Sequence, residues 1–279
     1  LIRSFYPEAA AVVANSLGVK ADLESAFGVP PAKVTVINNG CDTAAIAALA
    51  KLPLDENWAR VYARPVLSAA GRLTAAKGQW HLLRIFRELK TSVPGAALVI
   101  TGEGELRAYL ERLSAGLGLV THSGAGAPPP DADVYFAGFR ENPYPFIAGS
   151  RLFVFTSVWE GFPNSLVEAM ACGTPVISAD CDSGPREILA PGTPFSNRAK
   201  APEETPYGVL MPPLGPERLT AADGPSPEEK AWAGRLAALL VDDKAREKYS
   251  RASLARASEF ELSKAVLRWR ELLEKDPTT

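Results

Sequence analysis

The stretch RLFVFTSVWEGFPNSLVEAMACGTPVISADCDSGPREIL, Arg151 to Leu189, decides how the chain reads. It opens on an apolar run, Leu152 to Phe155, short enough for a buried strand between turn signals. A polar loop follows, Thr156 to Pro163, with the acid Glu160 ahead of Gly161 and Pro163. Asn164 or Ser165 can cap a helix whose apolar residues Leu166, Val167 and Met170 face a sheet. Gly173 stops that helix, and TPVIS (174–178) is the next buried strand. Strand, glycine-bearing loop, helix N-terminus and strand build an anion site. The unpaired N–H groups and the positive end of the helix dipole meet a phosphate there.

Two glutamates sit in that site, Glu160 in the loop and Glu168 about one turn into the helix. Burying both beside a phosphate is costly unless each accepts hydrogen bonds from a polyhydroxylated ligand. Carboxylates so spaced suit hydroxyl pairs on sugar rings, Glu160 beyond the phosphates and Glu168 under a ribose. Spacing alone leaves a plainer alternative open, in which both are solvated acids.

Outward from this stretch, short apolar runs alternate with amphipathic ones. Strands are predicted at 66–70, 97–101, 133–137, 151–155, 174–178 and 207–211. Leu82, Ile85, Phe86 and Leu89 mark a helix between the first two. The alternation predicts an α/β fold, a doubly wound parallel sheet with helices on both faces. Ligands then sit beyond the C-terminal strand ends, where the loops carrying Arg72, Gly102, Phe139, Glu160 and Asp182 all fall.

In GRLTAAKG (71–78), Arg72 and Lys77 flank the start of a helix. A cation about 4 Å from a phosphate charge contributes up to roughly 4 kcal/mol before desolvation. The alternative is a pair of solvated surface cations. No GK[ST] ends a glycine run, so this is not a Walker-type loop. TGEGE (101–105) reads as a tight turn whose glycines leave room for a ligand, without Glu103 as a contact. Ser183 to Glu187 read as a Ser–Gly–Pro turn capping a helix, with a ligand-facing role left open. His81, on a helix flank, and His122, in a loop, are the only histidines, and neither is placed as a base.

The N-terminal segment reads as a strand at Ala11–Ala14, a helix at Leu17–Phe27 after an Asn15/Ser16 cap, and a strand at Lys33–Ile37. A linker helix and loop follow. Residues 120–131 read as a flexible surface insertion, and 191–206 and 212–228 as Pro-rich loops. Two later helices carry Trp232, Leu236, Leu239 and Leu240, then Leu262, Val266, Trp269 and Leu273; core packing is the expected role of their aromatics.

With 279 residues and 47% hydrophobic content, the chain has ample core for one large or two modest domains. A net charge of −2 gives no reason to invoke nucleic acid, and no run is long enough to span a bilayer as a helix. Cys41, Cys172 and Cys181 lack metal-ligand spacing and read as reduced thiols.

EGFPNSLVEAMACGTPVI (160–177) closely resembles the donor-binding motif of retaining GT-B glycosyltransferases of family 4, with two glutamates separated by seven residues. VLSAAGRLTAAKGQWHLL (66–83), ALVITGEGELRAYLERL (97–113) and VYFAGFRENPYPFIAGSRLFVF (134–155) resemble other segments of that family, in its order. The resemblance implies a nucleotide-diphospho-sugar donor, UDP-linked, and transfer of a hexosyl or N-acetylhexosaminyl group with retention to a glycan or lipid-linked acceptor. It implies Glu160, Arg72 and Lys77 as catalytic residues. The implied donor-binding set is Gly71, Arg72, Lys77, Phe139, Arg140, Glu160, Gly161, Phe162, Asn164, Ser165, Leu166 and Glu168. Glu160 meets the donor sugar, Glu168 the ribose, Arg72 and Lys77 the diphosphate, and the backbone at Phe139 and Arg140 the base.

No metal or other cofactor is expected. The implied domains are 1–40, the end of an acceptor-side Rossmann-like domain otherwise absent; 41–64, a linker; 65–258, donor binding; and 259–279, a crossover helix. A fragment of this kind is expected to be inactive alone. The resemblance implies a cytoplasmic protein, with any inner-membrane contact made through the N-terminal half. A non-catalytic nucleotide-sugar-binding module is the alternative. A dinucleotide oxidoreductase fails, because no G-x-G-x-x-G opens a helix after the first strand.

Overall fold

The computed structural model describes residues 2–124 and 126–274. Leu1, Ala125 within the predicted 120–131 loop, and residues 275–279 of the predicted crossover segment lie outside the described residues. A small parallel sheet pairs β1 (Val12–Ala14) with β2 (Val34–Val36), with the helix Leu17–Ser25 between them in sequence. The helices Thr43–Leu49 and Glu56–Val61 follow, where one linker helix was expected.

The large sheet is built from β3 (Val66–Ala70), β4 (Ala97–Thr101), β5 (Thr121–Ser123), β6 (Val134–Gly138), β7 (Leu152–Phe155), β8 (Val176–Ala179), β9 (Glu203–Thr205) and β10 (Gly208–Met211). Its order is β5-β6-β4-β3-β7-β8-β10-β9, and every pairing is parallel except β9 against β10. The six predicted strands all form, within two residues of their expected bounds.

The central strands read as apolar runs rather than alternations because both faces are covered; β7 and β8 are buried at every residue. One face carries the helices Gln79–Ser92 and Pro227–Val241, whose Trp80, Leu82, Ile85, Phe86, Trp232 and Leu236 pack with Leu98, Ile100 and Val154. The other carries the helix Asn164–Ala171, whose Leu166, Val167 and Met170 join Phe153, Phe155 and Val176. Each such side chain contributes about 1.5–3 kcal/mol on burial. Chain order reverses direction between β3 and β7, so the crevice beyond their C-terminal ends is the switch point where such sheets take ligands.

Several expectations are corrected. Residues 121–123 are not a flexible insertion but the edge strand β5, and 203–205 form β9 within the predicted Pro-rich loop. A three-residue strand is too short to carry a periodic signal. His81 lies on a helix, as expected, and is buried there: Nδ1 lies 2.8 Å from Glu229 Oε1 and Nε2 2.9 Å from Gly215 O. Trp232 is core, but Trp269 is 45% exposed on the helix Leu262–Leu273, which has no buried residue.

Candidate active site

The loop after β7 is pinned from both sides. The Val158 N–H donates to Ala76 O at 2.8 Å, Thr156 Oγ1 donates to Lys77 O at 3.2 Å, and the Glu160 N–H donates to Asp182 O at 3.1 Å. The turn Ala75–Lys77 after β3 ends on Gly78 at φ +58, where a Cβ would collide with Thr156 O. Only glycine allows this approach, and it sets Lys77 facing Glu160. Their Nζ and Oε1 are 2.5 Å apart, and Lys77 Nζ lies 5.4 Å from the Phe155 ring centroid.

A cleft of about 310 Å³ opens at this edge, lined by Gly71, Arg72, Phe139, Arg140, Ser165 and Glu168 among others. Gly71, Gly102 and Gly138 stitch three strand ends together: the Gly71 N–H donates to Thr101 O at 3.0 Å and the Gly102 N–H to Gly138 O at 2.8 Å. A Cβ on Gly102 (φ +131) would collide with Gly71 O, and one on Gly104 with Leu73 O. These TGEGE glycines therefore serve close backbone packing first, although Gly102 also borders the cleft. Glu103 pairs with Arg107, as well as lining the same cleft.

Arg72 is exposed, and its guanidinium makes no ion pair or hydrogen bond among the described residues. Glu168 is half-buried, and its carboxylate has no hydrogen-bond donor among the described residues. Burial pushes its pKa up, and the Lys77 charge offsets part of that rise. Burial, with the Glu168 charge nearby, also pushes the Cys41, Tyr144 and Cys172 groups up to about 12. An acid left without donors at a cleft edge is poised for a hydroxyl-bearing ligand.

The helix Asn164–Ala171 departs from the expected capping. Its N-cap is Pro163, with no side-chain cap bond, and the side chains of Asn164 and Ser165 do not cap it. The Asn164 N–H is taken by Phe162 O and the Leu166 N–H by Pro163 O, both at 3.0 Å. The Ser165 N–H is left without an acceptor among the described residues, and Ser165 Oγ is buried without a partner. Phe162 and Leu166 are buried, Phe162 against Phe260 at 5.4 Å between ring centroids, and neither lines the cleft.

Arg140 is committed elsewhere. Its guanidinium lies 5.6 Å from the Trp58 ring centroid and 5.2 Å from that of Phe146, leaving its backbone and the exposed Phe139 at the cleft. Gly161 and Asn164 face the N-terminal unit: a Cβ on Gly161 would lie 3.3 Å from Asn15, and Asn39 Nδ2 donates to Asn164 Oδ1 at 2.9 Å. Sequence reading missed Asn15 and Asn39 as neighbours of the site. Nothing in their local sequence marks a contact across more than a hundred residues. Arg186 is a buried clamp, bonded to Asp180 Oδ1 at 3.2 Å and Glu203 Oε2 at 2.8 Å.

The predicted residues Arg72, Lys77, Glu160, Ser165 and Glu168 thus converge at one sheet edge across the switch point. Among the described residues, no group of three His, Cys, Asp or Glu is placed to hold a metal, and no helix is long and apolar enough to cross a membrane.

Similarity to known proteins agrees with this geometry. A family model described as glycosyl transferases group 1 matches residues 64–222, and one described as glycosyltransferase family 4 matches residues 1–45. An uncharacterized glycosyltransferase of Methanocaldococcus jannaschii is 33% identical over 97% of this chain and 64% of its own length. An N-acetylgalactosamine-N,N'-diacetylbacillosaminyl-diphospho-undecaprenol 4-alpha-N-acetylgalactosaminyltransferase of Campylobacter jejuni is 30% identical over 94% of this chain and 59% of its own length. The chain therefore spans about three fifths of these relatives. Anabaena HepE in complex with UDP shares the fold with a TM-score of 0.73 at 22% identity, over 96% of this chain and 64% of that one. Staphylococcus aureus TarM does so with a TM-score of 0.72 at 14% identity, over 98% and 45%. The sheet is that of GT-B glycosyltransferases, and the chain belongs to the group 1, family 4 glycosyltransferases.

Proposed function

We propose that the chain supplies the donor side of a retaining transferase that moves a hexosyl or N-acetylhexosaminyl group from a UDP-linked sugar to a glycan or lipid-linked acceptor. Cell-surface polysaccharide or glycolipid synthesis is the proposed setting, on the cytoplasmic face of the membrane. The observation that carries this reading is the convergence on one cleft of an unpaired cation, Arg72, and an acid without donors, Glu168, with the Lys77–Glu160 pair beside them. The UDP held by HepE and the N-acetylgalactosamine transfer named for the Campylobacter relative support it.

In this reading Arg72, the Ser165 N–H and Ser165 Oγ take the diphosphate, which Gly71 lets approach. Glu168 accepts hydrogen bonds from the ribose hydroxyls, and the backbone at Phe139 and Arg140 meets the base. Lys77 divides its charge between the diphosphate and Glu160, and Glu160 orients the sugar. When the C1–O bond breaks, its electron pair moves onto the diphosphate, where the preorganised cations stabilise it. The acceptor oxygen bonds to C1 on the same face, and its proton passes to the departing diphosphate. Residues 65–258 would hold the donor, 41–64 link, 1–40 face the acceptor, and 259–279 cross back.

Because Arg72, Lys77 and the Ser165 N–H would face the diphosphate, binding without a divalent metal is part of the proposal. Calorimetry with UDP, GDP, ADP and their sugars, with and without chelator, tests it. The expected result is preferential UDP binding unchanged by chelator. Failure of every nucleoside diphosphate to bind would sink the reading, and loss of binding on chelation would sink its metal-free form.

A further inference from the structure

At the start of the helix Leu17–Ser25 the N–H groups of Leu17, Gly18 and Val19 have no intrahelical carbonyl to bond; the first such bond runs from the Lys20 N–H to the Ser16 carbonyl at 3.0 Å. Ser16 Oγ satisfies one of the three, accepting from the Val19 N–H at 3.1 Å. The other two donate to a carboxylate 170 residues away in sequence. The Leu17 N–H lies 3.0 and 2.9 Å from the two oxygens of Glu187, and the Gly18 N–H lies 3.4 Å from one of them. A carboxylate at this end also meets the positive end of the helix dipole.

The turn that presents Glu187 is shaped for this approach. A Cβ on Gly18 would collide with Ser183 Oγ. Ser183 itself sits at φ 64, a left-handed conformation that costs a non-glycine residue about 1–2 kcal/mol. Gly184 follows at φ 92, where Pro163 of the donor loop fills the space a Cβ would need. Glu187 has no ion pair among the described residues, and the fold of its own segment is held by Arg186. Beside the latch, Asn15 Oδ1 is buried without a partner, and the Asn15 side chain lies against Gly161, next to Glu160.

We infer that Glu187 is a positioning residue. Through the Leu17 and Gly18 N–H groups it holds the N-terminal unit over the sugar end of the donor cleft, so that Asn15 closes on Gly161 beside Glu160. The effect on sugar binding rests on the function proposed above; the latch itself does not.

Glu187→Ala removes both acceptors and Glu187→Gln removes the charge. Leu17→Pro removes one donor from the opposite side at the first helical position, where proline fits. Ser16 is already extended, as the residue before a proline must be, and the Leu17 side chain is 44% exposed, so the third change is mild. Amide hydrogen exchange on the whole chain should rise roughly tenfold or more across residues 15–25 in all three variants, the scale of losing hydrogen bonds to a charged group. The helix Gln79–Ser92 should not change, and Leu17→Pro with Glu187→Gln should add little to either alone. Unchanged exchange at 15–25 in the folded variants overturns the latch; if Glu187→Ala does not fold, the other two decide.

Calorimetry then compares UDP with UDP-glucose. The variants should keep wild-type affinity for UDP and lose the increment contributed by the sugar. Raised exchange with an unchanged sugar increment overturns the positioning role. If the wild type binds neither nucleotide, the proposed function falls, while exchange still decides the latch.

Discussion

Lys77 Nζ lies 2.5 Å from Glu160 Oε1 across the gap between β3 and β7, with only 19% and 11% of the two side chains exposed. In the unliganded protein each neutralises the other, and removing one leaves a partly buried charge uncompensated. Under the proposed function, the pair also explains how a carboxylate can stand beside a diphosphate. Donor entry would share Lys77 between two acceptors and free Glu160 oxygens for sugar hydroxyls.

The two glutamates should therefore separate in opposite directions. Glu168→Ala should weaken UDP and UDP-glucose alike, by roughly 1.5–3 kcal/mol for hydrogen bonds to a charged group. Glu160→Gln should leave UDP affinity unchanged or raise it, because Lys77 loses its internal counterion, while lowering the gain from the sugar. Titrations of UDP and UDP-glucose into each variant separate the roles. Equal weakening of UDP by both would remove the assignment of Glu160 to the sugar.

Arg72 has no partner to lose among the described residues, so Arg72→Ala should cost binding and little stability. UDP affinity should fall by roughly 1.5–3 kcal/mol and uridine affinity should hardly change, since only a charged acceptor meets the guanidinium. The UDP loss should shrink as salt is raised. A uridine loss as large as the UDP loss would move Arg72 off the diphosphate.

Gly102→Ala should destabilise strongly. It places a Cβ against Gly71 O at φ +131, where neither backbone can yield without breaking the β3–β4 edge. A loss of about 3 kcal/mol or more is expected, in the range reserved for strained or overpacked sites. Gly95→Ala is the control, since a Cβ there meets nothing within 4 Å. Equal Tm values for the two variants would contradict the stitching of the strand ends.

Part of the protein's acid sensitivity should come from the buried Glu229. Burial alone would raise its pKa, but hydrogen bonds from His81, Arg84 and the Ser226 N–H, with the Arg84 charge, outweigh that and hold it at about 2. The folded value lies below the ordinary 4.5, so its contribution is complete above about pH 4.5 and drains away as pH falls towards 2. Its total is on the order of 3 kcal/mol. Urea midpoints measured from pH 6 to pH 3 should fall less steeply for Glu229→Gln than for wild type. Parallel slopes would mean that other carboxylates carry the acid response.

How much was legible depended on whether the signal was local. Apolar runs marked six strands of the large sheet, because parallel strands buried on both faces need continuous apolar sequence. The loops bearing Arg72 and Glu160 follow from that pattern, since each sits just beyond a strand's C-terminal end, and Glu168 lies on the helix that comes next. β5 and β9 were not legible: three residues on a sheet edge are held by neighbours, not by their own pattern. Pro163 as N-cap was also missed, because Asn164 and Ser165 are both good capping residues by type.

The α/β class, the family and the residue types that crowd the cleft follow from the sequence alone. Those depend on periodicity and motif, which are written within tens of residues. Which groups are already spent depends on long-range packing. It gave Lys77 to Glu160, Arg140 to Trp58 and Phe146, and Glu187 to the amides of Leu17 and Gly18, while leaving Arg72, Ser165 and Glu168 without partners among the described residues. A side chain's availability is a property of what folds against it, and those neighbours lie up to 170 residues away in sequence.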